Sequence, residues 1–206
     1  MEIDAKVIKD LREKTGAGVM DCKKALGESG GNLEKAVVWL REKGIASAAK
    51  RASRVASEGT IGSYIHLGGK LGVLVEVNCE TDFAAKGADF QTLVKEIAMQ
   101  IAATNPRCVR REELAPEIIE QERQIYAQQS EGKPANVVNK IVEGKLEKFY
   151  KEVCLLEQPW VKDSNLSITD LIGEYTAKIN EKLEVRRFAR FQLGEATDQK
   201  NATEAG

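Results

Sequence analysis

The feature that most constrains this chain is a change of hydrophobic period at Gly59. Before it, large apolar side chains recur at helical spacing; after it, they fall on alternate residues. Val7, Ile8 and Leu11 follow Asp4, a residue suited to an N-cap, and Gly16 closes this first pattern. From Val19 to Glu28 the residues Cys22, Ala25 and Leu26 share one face. Gly30-Gly31 interrupts, and Asn32 caps a third segment carrying Leu33, Ala36, Val37 and Leu40, which Gly44 is expected to end. Three short helices joined by glycine turns make a bundle of about 44 residues, near the size at which one core is marginally stable. It is expected to lean on a partner. Ile45 to Ser57, rich in Ala, Ser, Lys and Arg, reads as a basic, helix-prone linker, with a boundary near Val55.

Past Gly59, Ile61 and Ile65, then Leu71, Val73, Val75, Val77 and Cys79, predict two antiparallel strands joined by the turn Leu67-Gly68-Gly69-Lys70. The second strand is apolar at its odd positions, with Glu76, Asn78 and Glu80 on its other face, as in a half-buried sheet covered by helices. Phe90, Leu93, Val94, Ile97 and Ile101 form one covering helix, ended by Asn105-Pro106. Pro116 suits a first helical turn, and Pro134 opens a helix over Ala135 to Val153 with Val137, Val138, Ile141 and Phe149 among its charges. Ser167 with Asp170 resembles a capping box before Leu171, Ile172 and Tyr175. Leu183 to Leu193 predicts a late strand with Val185, Ala189 and Phe191 on one side, able to pair with the early hairpin. The fold class is α+β: a three-helix, UBA-like N-terminal unit over 1–54, a small antiparallel sheet packed with helices over 55–194, and a disordered polar tail over 195–206.

Several function classes find no support. Lys plus Arg number 31 against 32 Asp plus Glu, so no global positive field favours a nucleic-acid backbone. Leu71 to Val77 is interrupted by Gly72 and Glu76 and falls short of a bilayer span. Met1-Glu2-Ile3-Asp4 opens neither a secretory signal nor a transit peptide, and a cytoplasmic location is expected. Cys22, Cys79, Cys108 and Cys154 lie far apart with no CxxC pair, and His66 is the single histidine. Zinc and redox motifs need tighter spacing, so the thiols read as small buried hydrophobes, and no metal, cofactor or catalytic group is expected. His66 reads as a strand or turn residue.

Two stretches then match something specific. Leu11-Arg12-Glu13-Lys14-Thr15-Gly16-Ala17-Gly18-Val19-Met20-Asp21-Cys22-Lys23-Lys24-Ala25-Leu26 resembles the N-terminal signature of the elongation factor Ts family. Glu76-Val77-Asn78-Cys79-Glu80-Thr81-Asp82-Phe83-Ala84-Ala85-Lys86 resembles that family's second signature, in the right order and after a strand. The resemblance extends through Ile141 to Asp163 and covers residues 2 to 194. It departs from the family pattern at Ala84, where Val is usual. Only one hairpin unit is present, as in short members, for which a homodimer is expected.

The resemblance implies a protein that binds the GTPase elongation factor Tu in its GDP form and speeds GDP release, with no covalent chemistry. In family terms Thr81, Asp82, Phe83 and Ala84 form the exchange segment. Phe83 would enter a gap between helices of the GTPase and disturb its Mg²⁺ site, with Asp82 acting beside it. Leu11, Val19 and Met20, at or beside the turn between the first and second helices, would dock on the GTPase. The same residues have a plainer reading: Thr81-Asp82 caps a helix, Phe83 packs inward, and Leu11 is bundle core. Two rivals stand beside this one. A ubiquitin- or nascent-chain-associated binding module would account for residues 1 to 50. An RNA-binding surface would use Lys50, Arg51, Arg54, Arg186, Arg187 and Arg190, yet no aromatic-rich RNA signature accompanies them.

Overall fold

The computed structural model describes residues 4–195 apart from 16, 52 and 133; for residues 45–50 it describes the backbone alone. Three helices come first: α1 (Ala5–Thr15), α2 (Val19–Glu28) and α3 (Leu33–Arg51). Asp4 Oδ1 accepts from the Lys6 amide and Asn32 Oδ1 from the Lys35 amide, both at 2.9 Å, so two helix starts are capped from the side chain. Leu11, Cys22, Ala25, Leu26 and Ala36 are fully buried between the three helices, a small core separate from the main one. Gly16 and residues 196–206, expected respectively to end α1 and to form most of the polar tail, lie outside the described residues.

Gly44 does not end α3, which continues seven residues further, to Arg51, through the segment expected to be a linker. The reason is tertiary. A Cβ at Gly44 would lie 3.2 Å from the Gly173 carbonyl oxygen on α8 (Ile168–Ile179), so the glycine marks a close helix crossing. Arg41 on α3 reinforces the contact by pairing with Asp170 at 2.7 Å.

The strands β1 (Glu58–Ile65), β2 (Leu71–Cys79) and β5 (Glu184–Gln192) make an antiparallel sheet in the order β1-β2-β5. Val73, Val75, Val77 and Cys79 face inward against Phe90, Leu93, Val94, Ile97 and Ile101 of α5 (Ala88–Thr104). A Cβ at Gly62 would lie 2.2 Å from Val94 Cγ1; only glycine lets α5 lie this close to β1. Register sets the faces of β1 and corrects one expectation on β5. Thr60, Gly62 and Tyr64 pair with Val77, Val75 and Val73, so Ile61 and Ile65 point to the outer face, each 66% exposed. On β5, Val77 pairs with Val185 but Glu76 with Arg187, leaving Arg186 as a bulge residue. One extra residue flips the alternation, so buried Val185 faces inward while Phe191 faces outward.

The remaining elements are α4 (Asp82–Ala85), α6 (Pro116–Gln128), α7 (Ala135–Val153) and a small sheet of β3 (Pro159–Trp160) and β4 (Asp163–Ser167). Helices α6 and α7 pack on each other as a hairpin. The buried face of α7 is Val142, Leu146 and Phe149; Val137 stays exposed and Val138 and Ile141 are half-buried, so of the expected set only Phe149 is fully inside. Ser167 and Asp170 form the capping box that starts α8. No helix among the described residues is long and apolar enough to cross a membrane.

Candidate functional site

The strand β2 ends at a two-residue connection, Glu80-Thr81, that leads into the short helix α4. Cys79 is the last inward residue of the alternating run, and its thiol donates to the Thr81 carbonyl at 3.1 Å. Thr81 then adopts an extended conformation, and its hydroxyl accepts from the Ala84 amide at 3.2 Å, which starts α4. The helix lasts four residues, and the Gly87 amide bonds the Ala84 carbonyl at 2.9 Å before α5 begins. Because Ala84 and Ala85 pack into the main core, Phe83 between Asp82 and Ala84 is turned outward and is 85% exposed. Phe83 therefore does not pack inward. Ala84, where the family pattern usually has Val, is a buried packing position rather than a surface one.

The approach to this turn is held by residues about 100 positions later. Glu181 Oε2 accepts from the amides of Glu80 and Thr81, both at 3.0 Å, and Oε1 accepts from the Thr81 hydroxyl at 2.7 Å. In return, Glu80 Oε1 accepts from the Lys182 amide at 2.6 Å and from Arg54 at 3.2 Å. The two carboxylates cross-tie the end of β2 to the segment that follows α8. The Lys182 amide, then Arg54, hold the Glu80 carboxyl below the usual carboxylate range. Asp82 pairs with Lys86 one helical turn on, at 2.8 Å, and that partner lowers its carboxyl as well. Asp82 is thus an exposed anion already partnered within its own turn.

The N-terminal residues divide. Val19 and Met20 open α2 on its outer side and are 50% and 76% exposed. Leu11 is fully buried against the other two helices and offers no surface, a correction to its expected place in a docking cluster. The bundle reaches the Phe83 turn by a continuous route. Helix α3 packs on α8, α8 ends at Asn180 in a left-handed cap, and Glu181 follows. Arg51 at the end of α3 bonds the Asn180 side chain.

Cys22 and Cys79 are buried, and burial raises both thiols. His66 is exposed beside the Tyr64 hydroxyl at 2.9 Å, just beyond β1. Among the described residues no group of three or more His, Cys, Asp or Glu could hold a metal ion. The residues that stand out are instead a clamped, projecting aromatic and a small exposed apolar pair. Sequence reasoning singles out Phe83 from its signature. It missed Glu181 and Glu80 as a clamp, because the contact spans 100 residues and leaves no local pattern.

Comparison with known proteins agrees with the signatures. The family model described as Elongation factor TS matches residues 6–196. Elongation factor Ts of Desulforamulus reducens is 59% identical over 201 residues, covering 97% of this chain and 93% of the relative. Elongation factor Ts of Carboxydothermus hydrogenoformans is 56% identical over 200 residues, covering 96% and 92%. Elongation factor Ts of Nitratidesulfovibrio vulgaris is 57% identical over 196 residues, covering 94% and 98%. With such identity along nearly its whole length, the chain belongs to the elongation factor Ts family of translation elongation factors.

Proposed function

We propose that this protein is a guanine-nucleotide exchange factor for elongation factor Tu, acting by binding alone and without covalent chemistry. The observation that carries the reading is Phe83, a large aromatic held outward on a turn whose backbone is fixed at Thr81 by Glu181. An aromatic left in water on a fixed backbone loses little conformational freedom on insertion, so most of its burial energy is available to a partner. Inserted between helices of the GTPase, it shifts the groups around Mg²⁺. A diphosphate without its Mg²⁺ loses charge compensation and dissociates faster. Linkage sets the sign: a factor that binds the nucleotide-free GTPase more tightly than the GDP form weakens GDP by the same ratio. Asp82 contributes next to Phe83 by exchanging its Lys86 partner for one on the GTPase.

The N-terminal unit, residues 1–54, docks through Val19 and Met20, and residues 55–194 carry the exchange segment. Met is well suited to such a surface because its unbranched side chain adapts to irregular contacts. The protein works in the cytoplasm as a homodimer. Support for pairing comes from the outer face of the sheet, where Ile65, Gly72 and Phe191 are in register across three strands with Leu74 beside them. Ile65, Leu74 and Phe191 are 66%, 48% and 68% exposed, an apolar row that a second copy covers by symmetry.

The test is release of a fluorescent GDP analogue from purified elongation factor Tu with excess unlabelled nucleotide. Acceleration by sub-stoichiometric protein is the expected result. An unchanged release rate at saturating protein removes the exchange reading.

A further inference from the structure

Cys108 and Cys154 are separated by 46 residues, and the fold brings them together. Their sulfurs are 3.6 Å apart, and the two residues form an isolated parallel β-bridge. The bridge is well anchored. The Cys108 amide donates to the Val153 carbonyl at 3.4 Å and the Leu155 amide to the Cys108 carbonyl at 3.0 Å. The Arg107 amide reaches Val153 at 2.8 Å and the Leu156 amide reaches Val109 at 3.1 Å on either side. Bridged backbones lie about 4.8 Å apart, inside the 4.4–6.8 Å Cα window of a disulfide. Both side chains enter the same small cluster with Leu114 and Phe149, so they leave the backbone on one side. Closing the sulfur gap to about 2.05 Å needs rotation about the two Cα–Cβ bonds and no new backbone path.

We propose that Cys108 and Cys154 form an oxidation site, in which a two-electron oxidant of the peroxide class converts the pair to a disulfide that staples the base of the α6–α7 hairpin. Cys108 is 7% exposed and Cys154 is fully buried, so Cys108 meets the oxidant first. Its sulfur takes one oxygen from hydrogen peroxide, giving a sulfenic acid and one water. The Cys154 sulfur then attacks the Cys108 sulfur, the S–S bond forms, and the sulfenic oxygen leaves as a second water with the Cys154 proton. Two thiols lose two electrons and two protons, and the peroxide is reduced to two waters. Burial, with the Cys108 thiol alongside, pushes Cys154 up to about 12, and burial raises Cys108. Both therefore rest as thiols, and the site responds slowly and only to sustained oxidant. The product covalently joins the loop after α5 to the end of α7, a junction otherwise held by backbone hydrogen bonds, the Arg111 pairs with Glu147 and Glu157, and the packing of Leu114 and Phe149. Cys22 and Cys79 donate to backbone carbonyls of Ala17 and Thr81 and have no thiol partner, which makes them internal controls.

The experiment treats the folded full-length chain with graded hydrogen peroxide, alkylates in denaturant, and maps peptides without reduction. Oxidation of exposed Met20 calibrates the dose. Apart from oxygen added at methionine, the expected product has lost two hydrogen atoms, carries alkyl groups on Cys22 and Cys79 only, and contains a Cys108–Cys154 linked peptide. Cys154→Ser should abolish that peptide and leave Cys108 as a sulfenic or sulfinic acid. The proposal is overturned if all four thiols remain alkylatable at doses that convert Met20, if Cys108 proceeds to sulfinic acid in the unmodified chain without linkage, or if the first disulfide involves Cys22 or Cys79. Each outcome is read by mass and is independent of nucleotide exchange.

Discussion

Glu181 grips Thr81 twice, Oε2 accepting from the Thr81 amide at 3.0 Å and Oε1 from the Thr81 hydroxyl at 2.7 Å. Oε2 also accepts from the Glu80 amide, so one carboxylate takes three donors at the entry to α4. Hydrogen bonds to a charged group contribute more than neutral ones, and two of these donors are backbone amides that a truncated side chain leaves to water. Glu181→Ala is expected to lower stability by about 1–2 kcal/mol in urea titrations. It should also slow GDP release at saturating protein while leaving affinity for elongation factor Tu near its original value. Glu181→Gln keeps one acceptor oxygen and should fall between the two. Equal loss of affinity and of maximal release rate would remove the positioning role.

Phe83 separates function from folding more sharply. It is 85% exposed, so Phe83→Ala should change stability by no more than about 0.5 kcal/mol. If the ring is buried on the GTPase during exchange, its transfer is worth about 1.5–3 kcal/mol, which corresponds to roughly tenfold to a hundredfold in release rate. Stopped-flow release with the variant, beside thermal unfolding of the free protein, reads both quantities. Wild-type release rates would show that the ring has no part in exchange.

The N-terminal residues invert that pattern. Leu11 is fully buried between three helices, and Leu11→Ala should destabilise the bundle by about 2–5 kcal/mol, weakening partner binding only through loss of structure. Met20→Ala, on a side chain 76% exposed, should leave unfolding unchanged and reduce affinity for elongation factor Tu. Helicity by circular dichroism with a binding titration distinguishes the two. Loss of helicity in the Met20 variant would place that side chain in the folding core instead.

The legible parts of the fold were those with local causes. Helix α2 was readable because glycines flank it and its apolar face is complete within ten residues, and the β2 alternation was readable because every odd side chain from Val73 to Cys79 is buried. The misread parts have distant causes. Gly44 looks like a stop until the Gly173 carbonyl of α8 is placed against it. Phe191 looks like a partner of Val185 until the bulge at Arg186 turns it over. Val137 and Ile141 have the right spacing, but the buried face of α7 is Val142, Leu146 and Phe149, and of these the expected Phe149 packs with Cys108 and Leu114. At the candidate site, the motif singles out Phe83, whereas its outward direction follows from Ala84 and Ala85 occupying the core.

Acid should loosen the same clamp from its other side. The Lys182 amide and Arg54 hold the Glu80 carboxyl below its usual range. A carboxyl depressed in the folded state adds stability above its unfolded value, about 4.3, and that contribution is lost as pH falls through the folded value. Wild type should therefore exceed Glu80→Gln by a constant margin at neutral pH, and the margin should shrink below about pH 4. Urea midpoints for both proteins across the acid range give the comparison. A margin that is unchanged or grows toward low pH would mean that the Glu80 charge does not stabilise the fold.

The outer sheet face offers the clearest test of assembly. Leu74 pairs in register with Ala189, one step from the row containing Ile65 and Phe191, and all four side chains lie on the face opposite α5. Because a two-fold interface uses the same patch on both copies, each substitution acts twice. A buried Phe or Leu is worth about 1.5–3 kcal/mol, so Leu74→Glu or Phe191→Glu should weaken pairing by several orders of magnitude once desolvation of the new charge is included. Neither should unfold the chain, since both side chains already meet water in the single copy. Light scattering at micromolar concentration should give a dimer for the unmodified protein and a folded monomer for either variant. A monomeric unmodified protein would leave this apolar face without a second copy to cover it, and dimeric variants would put the contact on another surface.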